Sequence, residues 1–320
     1  MIYIAQKEKK GQFNNTLETI NYQNMEIKRW DVGPSTFLVL PEVGARLLNW
    51  HINMGDGSVR DVIYWPENVD GQSLGDVHGG IPVLFPFCGT CSHQGETGTW
   101  RAPDGSVHTM PKHGFAKDAS FRIRSMDQAG FEVEMVQEER FKEYYPYDFT
   151  FTVIYHFLEL SLQISLVLEN EGREPIPWSA GLHPYFQVPW CKDLSLDHHI
   201  LQVSAKKTYQ YQSDGTMVDN PKSSYPVPLG DEKLTNRIHY QLDSPEAEIA
   251  LLNGEETIRL NEASWSGKGS RLSYVTWTQS GAPYFCVEPW MSPPNAPENK
   301  TAQFVSPGGR EEFTIELELA

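Results

Sequence analysis

Alternation of apolar and polar residues is the clearest pattern along this chain. In D-F-T-F-T-V-I-Y-H-F, residues 148–157, every second residue is apolar, and the same alternation returns in L-S-L-Q-I-S-L-V-L-E-N, residues 160–170. A period of two places these side chains on one face of a β-strand. Because only Leu158 and Glu159 lie near the junction of the two segments, we expect an antiparallel hairpin.

The same period predicts strands elsewhere. Residues 131–138 (F-E-V-E-M-V-Q-E) and 313–319 (F-T-I-E-L-E-L) alternate, and residues 37–50 read as two strands with a turn at 41–44. We find no long segment with apolar residues at i, i+3, i+4 and i+7, the spacing of an amphipathic helix. We therefore predict an all-β fold, a large antiparallel β-sandwich that forms a single domain over residues 1–320.

Charge and composition exclude several classes of function. The chain has 26 Lys and Arg residues against 42 Asp and Glu residues, a net charge of −16, which disfavours nucleic acid and anionic membranes as partners. No segment resembles a secretory signal or a membrane span, and four cysteines in 320 residues do not form a disulfide framework. We expect a cytoplasmic protein with reduced thiols, either a monomer or a homodimer.

Four segments between the predicted strands mix glycine or proline with aromatic residues. Loops that a rigid sheet supports are common places for binding and catalytic residues. These segments are G-G-I-P-V-L-F-P-F-C-G (79–89), M-P-K-H-G-F-A-K (110–117), S-A-G-L-H-P-Y-F-Q-V-P (179–189) and F-C-V-E-P-W-M-S-P-P-N-A (285–296).

Two ionisable residues in these segments are candidates for proton transfer. Pro184 restrains the backbone of His183 towards an extended conformation, which would orient its imidazole. Glu288 ends an apolar strand, where burial would raise its pKa and suit a general base. The simpler interpretations are a histidine bonded to a carbonyl and a glutamate in a strand-end ion pair, and the local sequence leaves both open.

Other candidate motifs carry less information. His113 precedes Gly114 and is either a surface histidine or a donor to a substrate oxygen. The C-G-T-C motif at 88–91 has redox spacing but lacks the strand and helix that such motifs need, and we interpret it as chance. No second pair of ligands at zinc spacing accompanies it, so we predict no metal. No nucleotide-binding motif is present, so we predict no cofactor.

Taken in order, G-G-I-P-V-L-F-P-F, K-H-G-F-A-K, G-L-H-P-Y-F and V-E-P-W resemble the aldose 1-epimerase (galactose mutarotase-like) superfamily, and most closely its hexose-6-phosphate mutarotase branch. The resemblance spans most of the chain and implies a β-sandwich that needs no cofactor. It implies that His183 protonates the ring oxygen of an aldose while Glu288 takes the proton of the anomeric hydroxyl. The sugar ring then opens, rotates about C1–C2 and closes as the other anomer.

The resemblance also implies a substrate-binding set, which we complete with neighbouring residues. Arginines of the phosphate-reading branch are replaced here by His78 and Lys117, which leaves both a free and a phosphorylated aldohexose open as substrate. An aspartate that binds sugar hydroxyls is equally open among Asp214, Asp219 and Asp231. The predicted substrate-binding residues are His113, His78, Arg46, Lys117, Trp290 and Phe87.

Two alternative functions remain from the sequence. One is a carbohydrate sensor that keeps the fold and binds sugar without catalysis, although binding alone does not require an acid and a base. The other is a different carbohydrate-active enzyme that uses Tyr145, Tyr147 or Asp148. The distinguishing observation is whether His183 and Glu288 line one concave pocket large enough for a pyranose.

Overall fold

The computed structural model describes residues 15–69, 73–220, 225–265 and 271–320. Within these ranges it contains 26 β-strands, four 3₁₀ turns and one short α-helix, which confirms the all-β prediction. None of the helices in this part of the chain is long and apolar enough to cross a membrane.

The strands of the first half of the chain include the predicted pair around the turn at 41–44. They are β1 (Thr16–Tyr22), β2 (Met25–Val32), β3 (Ser35–Leu40), β4 (Arg46–Asn53), β5 (Val59–Ile63), β6 (Val83–Leu84), β7 (Ser92–His93), β8 (Glu96–Thr97), β9 (Thr99–Arg101), β10 (Val107–Thr109), β11 (Phe121–Asp127), β12 (Gly130–Met135) and β13 (Phe149–Phe157). The α-helix, α1 (Glu139–Tyr144), precedes β13 and buries Phe141.

The second half continues the same architecture to the end of the chain. Its strands are β14 (Ser161–Asn170), β15 (Ile176–Trp178), β16 (Gly181–Leu182), β17 (Tyr185–Gln187), β18 (His199–Tyr211), β19 (Met217–Asp219), β20 (Val227–Pro228), β21 (Arg237–Leu251), β22 (Thr257–Glu262), β23 (Ser273–Trp277), β24 (Tyr284–Trp290), β25 (Gln303–Val305) and β26 (Arg310–Leu319). The 3₁₀ turns are Leu74–Asp76, Ala116–Asp118, Leu196–His198 and Glu232–Leu234.

Antiparallel pairing joins the long strands into one continuous sheet. Each neighbour in the path β1–β2–β3–β4–β5–β17–β24–β23–β21–β22–β26–β14–β13–β12–β11 pairs with the next. The two ends of this path pack face to face, because Trp30 of β2 stacks on Phe131 of β12 and Phe37 of β3 stacks on Phe157 of β13. The sheet thus folds over itself around an apolar core, as a β-sandwich does.

The predicted hairpin has the expected register and burial. Strands β13 and β14 pair from Phe149 opposite Asn170 to Phe157 opposite Leu162. The alternating side chains of β13 are all buried in the main core. The prediction from period two is therefore confirmed here, and also for the strands at 131–138 and 313–319, whose observed bounds are those of β12 and β26.

A tight crossing of two loops brings segment 110–117 against segment 79–89. His113 and Gly114 have positive φ angles of 66° and 73°, a left-handed conformation that is rare outside glycine. Phe85 accepts a hydrogen bond from the N–H of Phe115, and a Cβ on Gly114 would lie 1.8 Å from the same carbonyl oxygen. Only glycine fits at 114, and this crossing sets the position of His113.

We expect Gly114→Ala to lower the free energy of unfolding by about 3 kcal/mol or more, because it combines left-handed strain with a clash that only a backbone shift can relieve. Urea unfolding measures this loss. Gly254→Ala is the matched control, since Gly254 has φ of 74° but open space around its Cβ position, and it should cost about 1 kcal/mol. Equal losses in the two variants would contradict the crossing as described.

Candidate active site

The register of two short ladders places His183 opposite Glu288. Gly181 pairs with Trp290, and Tyr185 pairs with Cys286, so the same antiparallel register on both sides aligns His183 with Glu288. Pro184 and Pro289 stand in the gap between these ladders, and neither has an N–H to donate. The ladder is therefore interrupted at the two residues whose side chains meet.

The backbone around His183 is held by the strand segment that precedes β6. The N–H of His183 donates to the carbonyl of Pro82 (3.0 Å), and the N–H of Tyr185 donates to the carbonyl of Gly80 (3.0 Å). The imidazole stacks on the Tyr185 ring with centroids 4.6 Å apart. These restraints on both sides of Pro184 fix the imidazole of His183, the histidine that the sequence predicted to be catalytic.

Both side chains of the pair are buried and in contact. Nε2 of His183 lies 3.3 Å from Oε1 of Glu288, whose other oxygen accepts a hydrogen bond from Nε1 of Trp290 (3.1 Å). His183 is 8% exposed and Glu288 is 2% exposed. The imidazole and the carboxyl group therefore meet in a buried place on the cavity wall.

Burial shifts the proton affinities of the two groups in opposite directions. It raises the pKa of Glu288 well above its ordinary value, although the charge of Lys112 and the Trp290 N–H oppose this shift. It lowers the pKa of His183 to about 3, and the charge of Lys112 acts in the same direction. Since removing either charge from water is costly, the pair holds one proton and no net charge over a wide pH range.

His113 stands beside this pair as a neutral hydrogen-bond donor. Its ring packs edge-on against His183, with centroids 5.5 Å apart, and against Trp290 at 5.7 Å. The N–H of Gly89 donates to Nδ1 of His113 (3.2 Å), so Nδ1 accepts and a neutral ring carries its proton on Nε2. Burial lowers the pKa of His113 well below its ordinary value, which keeps the ring in this state.

A cavity of about 310 Å³ opens onto the pair, a volume typical of a small-molecule site. Five predicted side chains besides Glu288 share its wall: His183, His113, His78, Lys117 and Trp290. Sequence reasoning assigned no role to several others that lie there. The lining that it missed includes Asp76, Lys112, Tyr185, Tyr211, Asn236 and Trp277.

Lys112 and Asp76 are the most informative of the missed residues. Lys112 is exposed at the cavity rim and makes no hydrogen bond or ion pair with the residues that the structure describes. It directly precedes His113, so its place in the motif was the available signal. Asp76 is the last residue of the short 3₁₀ turn Leu74–Asp76, and nothing in the sequence distinguishes it from other surface aspartates.

Arg46 lies behind the cavity wall and not in it. Its guanidinium donates to the carbonyls of Leu74, Val77 (2.5 Å) and Gly79 (2.6 Å) and also packs over the Trp65 ring. The side chain is 1% exposed, and these carbonyls accept from its two terminal nitrogens. Arg46 holds the wall segment 74–79 in place, whereas we had predicted a contact with substrate.

Phe87 likewise lies away from the cavity. It is fully buried and packs edge-on against Trp100 and Tyr145. We had predicted that Phe87 binds substrate, but its ring packs in the main core. Trp277, at the end of β23, is one of the aromatic residues that line the cavity.

Residues 35–318 match the aldose 1-epimerase family. The match covers most of the chain. The chain therefore belongs to the aldose 1-epimerase family, as the ordered motifs indicated.

Two named relatives match parts of this chain. An Escherichia coli (strain K12) protein named "Putative glucose-6-phosphate 1-epimerase" is 27% identical over 149 residues, which are 45% of this chain and 43% of that protein. The chain thus matches less than half the length of that relative. Protein LacX (chromosomal) of Lactococcus lactis subsp. lactis is 22% identical over 223 residues, 67% of this chain and 74% of the relative.

The fold recurs in solved structures at low sequence identity. A galactose mutarotase-like protein from Clostridium acetobutylicum superposes with a TM-score of 0.75 and 18% identity, over 96% of this chain and 98% of that one. The Slr1438 protein from Synechocystis superposes with a TM-score of 0.71 and 22% identity, over 90% and 92% of the two chains. These likenesses confirm the predicted β-sandwich fold.

The alternative residues for this aldose 1-epimerase family member lie outside the cavity. Tyr145 is buried and donates to the carbonyl of Pro177 (2.6 Å). Asp214 and Asp231 accept hydrogen bonds within their own turns. The cavity lining contains none of the candidates that we had left open, namely Tyr145, Tyr147, Asp148, Asp214, Asp219 and Asp231.

The cysteines and the candidate metal ligands in the described part of the chain were examined for a redox or metal site. Cys88 and Cys91 are buried as free thiols, and burial raises the pKa of Cys91 to about 12. Among residues 15–69, 73–220, 225–265 and 271–320, no group of three or more His, Cys, Asp or Glu side chains is arranged to hold a metal ion.

The raised pKa of Glu288 predicts a pH-dependent effect on stability. A group that binds its proton more tightly in the folded protein stabilises the fold at low pH, and this stabilisation is lost as the pH rises through the folded pKa. Glu288→Gln keeps the shape of the side chain and cannot ionise. We expect its free energy of unfolding to exceed that of the wild type by an amount that grows as the pH rises above about 5, reaching about 1 kcal/mol or more.

Chemical denaturation at a series of pH values measures this difference. The control is Glu143→Gln, a substitution of an exposed glutamate on α1, which should leave the pH dependence unchanged. A Glu288→Gln curve parallel to the wild type would contradict the raised pKa.

Proposed function

We propose that this protein interconverts the α and β anomers of an aldohexose, with His183 and Glu288 as the proton-transfer pair. The observation that carries the proposal is the 3.3 Å contact between Nε2 of His183 and Oε1 of Glu288 on the wall of a cavity of about 310 Å³. Membership of the aldose 1-epimerase family supports an isomerase of this type.

The reaction needs one proton to be removed and another to be added in the same step. Transfer within the pair first gives a Glu288 carboxylate and a His183 imidazolium. Glu288 then takes the proton of the anomeric hydroxyl while His183 protonates the ring oxygen, and the C1–O5 bond breaks to leave an aldehyde and a hydroxyl. The pair is left with its proton on Glu288 and none on His183, the state that burial favours.

Ring closure reverses these transfers. After rotation about C1–C2, the O5 hydroxyl attacks the other face of the aldehyde, His183 takes the O5 proton and Glu288 protonates the carbonyl oxygen. Protons are conserved through the cycle, and no other reactant is consumed. Both side chains are buried, and their charges therefore interact more strongly than in solution.

Neighbouring side chains have the donors and rings that a pyranose requires. The neutral His113, with its proton on Nε2, would donate to a sugar oxygen. Asp76 and Asn236 line the cavity and would bond to hydroxyl groups. The rings of Trp290 and Trp277 would contact the apolar faces of the sugar, while Trp290 also fixes Oε2 of Glu288.

The catalytic interpretation has more support than a sugar sensor. A sensor needs hydrogen-bond donors, acceptors and rings, which the cavity also provides. It does not need a buried acid and base side by side, an arrangement whose desolvation lowers stability. The His183–Glu288 contact therefore favours an enzyme.

Nuclear magnetic resonance of anomer exchange tests the proposal with glucose, galactose and glucose 6-phosphate. We expect the wild type to accelerate exchange of at least one of these sugars. Glu288→Gln and His183→Asn should each lower kcat by about 10²–10⁴-fold, because each removes one proton-transfer group. His156→Asn, an exposed histidine on β13, is the matched control and should retain full activity.

Two results would contradict the assignment. Full activity in either pair variant would exclude that residue from the chemistry. Absence of acceleration with every sugar, alongside measurable sugar binding, would favour the sensor.

The charge of the cavity wall bears on phosphorylation of the substrate. Lys112 and Lys117 both line the cavity, and Lys117 already bonds to the carbonyl of Gly75 (3.0 Å) and pairs with Asp118 (3.3 Å). Lys112, in contrast, makes no hydrogen bond or ion pair with any of the described residues. A relative bears a glucose-6-phosphate 1-epimerase name, which agrees with a role for Lys112 in contacting a sugar phosphate.

We expect Lys112→Met to raise KM for glucose 6-phosphate about tenfold and KM for glucose less than about twofold, because loss of one charged hydrogen bond removes about 1.4 kcal/mol. Steady-state anomer exchange with each sugar measures the two values. Lys142→Met, on the exposed surface of α1, is the control. Equal changes for both sugars would show that Lys112 does not distinguish a phosphate.

A further inference from the structure

Two backbone N–H groups inside the C-G-T-C motif bond to side chains of the cavity wall. The N–H of Gly89 donates to Nδ1 of His113 (3.2 Å). The N–H of Thr90, the next residue, donates to Oη of Tyr211 (2.6 Å). Both acceptors line the reaction cavity. The two central residues of the motif therefore connect two side chains of the site.

The peptide group that joins Gly89 to Thr90 is held at both ends. Its carbonyl oxygen accepts from the backbone N–H of His113 (2.8 Å), and its N–H donates to Tyr211. Because the C=O and the N–H of a trans peptide point in opposite directions, these two bonds fix the orientation of the peptide plane. The plane is thus fixed from one side by His113 and from the other side by Tyr211.

Gly89 is the residue whose backbone most needs this restraint. Its φ is 75°, and the lack of a Cβ gives glycine a wider range of backbone conformations than other residues. A Cβ here would lie 2.7 Å from Oη of Tyr211 and 2.9 Å from Cβ of Pro294, so the close approach of the tyrosine requires glycine. The direction of the Gly89 N–H depends on the dihedral angles of this residue. Fixing the peptide plane that follows limits their rotation.

Tyr211 is itself held by a strand. It ends β18, where it pairs with Met217 of β19, and its backbone N–H donates to the carbonyl of Asn236 (2.8 Å). Its ring packs edge-on against Trp290, with centroids 6.2 Å apart. Burial raises the pKa of Tyr211, so the hydroxyl keeps its proton and accepts through an oxygen lone pair. The acceptor for Thr90 therefore has a fixed position.

The tautomer of His113 depends on the N–H of Gly89. Burial lowers the pKa of His113, and a neutral imidazole has one N–H and one lone pair. While Nδ1 accepts from Gly89, the proton is on Nε2, the nitrogen left to donate to a sugar oxygen. If the Gly89 N–H turned away, the proton could move to Nδ1, and Nε2 of His113 would become an acceptor.

We propose that Tyr211 is a positioning residue that fixes the tautomer of His113 through the Gly89–Thr90 peptide. Its effect on the reaction rate rests on the proposed function, because only there does His113 donate to the sugar. The tautomer itself can be measured without any substrate. The two parts of the inference are therefore tested separately.

Nitrogen-15 NMR of the histidine rings tests the tautomer directly. The signals of His113 are those that the variant His113→Asn lacks, and asparagine tolerates the positive φ of this position. In the wild type we expect a protonated Nε2 and an unprotonated Nδ1. Tyr211→Phe removes only the hydroxyl and should raise the population of the Nδ1-protonated tautomer, which moves the two averaged shifts of His113 towards each other.

The matched control is Tyr209→Phe. Tyr209 lies two residues before Tyr211 on β18, is also half-buried and packs against the same small cluster around Trp290. Loss of its hydroxyl should leave both nitrogen shifts of His113 unchanged.

Anomer exchange shows whether the tautomer matters for the rate. We expect Tyr211→Phe to lower kcat/KM about tenfold, the effect of losing one aligned hydrogen bond to the sugar. Tyr209→Phe should stay within about twofold of the wild type. In the His113→Asn background, which has no atom at the Nε2 position, Tyr211→Phe should change kcat/KM by less than about twofold.

Three results would overturn the inference. They are unchanged shifts of His113 in Tyr211→Phe, the same change of shifts in Tyr209→Phe, and equal losses of kcat/KM from Tyr211→Phe with and without His113. The last result would show that Tyr211 acts independently of His113. If no sugar is exchanged faster than in buffer, the proposed function fails, and the nitrogen shifts alone decide about the positioning role.

Discussion

The burial of two ionisable groups side by side, His183 and Glu288, is the constraint on which the site depends. Each would be costly in its charged form without a partner, since burial raises the pKa of Glu288 and lowers the pKa of His183 to about 3. With the proton on Glu288, the pair carries no net charge. The surrounding structure places and orients this pair, through the register of β16 and β17 with β24 and through the Trp290 N–H.

Different parts of the surrounding structure hold the pair and the cavity wall in place. The apolar sandwich supplies rigid strands, and two prolines interrupt the ladder where the pair meets. Arg46 then fixes the wall from behind, because its guanidinium bonds to three carbonyls in segment 74–79. On the other side of that wall, Lys112 and Lys117 line the cavity. A protein with a net charge of −16 thus has two lysines beside this cavity.

Period two was sufficient to predict the sandwich and its main hairpins, because burial on one face selects every second residue. Pro184 predicted an extended backbone at His183, and an apolar run predicted a strand before Glu288. Their contact depends on pairing between residues about a hundred positions apart, which these local patterns do not show. Ordered motifs supplied that link. Arg46 and Phe87 were predicted to contact the substrate, but neither lines the cavity. A sequence motif does not show which side of a segment faces the core. Asp76 carried no pattern that distinguishes it from surface aspartates, whereas Lys112 opens the K-H-G-F-A-K motif and was given no role.

The pH dependence of kcat/KM for wild-type anomer exchange is the most direct test of the shared proton. A singly protonated pair that gains its second proton only near the lowered pKa of His183, about 3, predicts a plateau through the ordinary range of histidine. We therefore expect no inflection near pH 6.5 and an acid limb below about pH 5. An inflection near pH 6.5, or no exchange above the rate in buffer at any pH, would contradict the account.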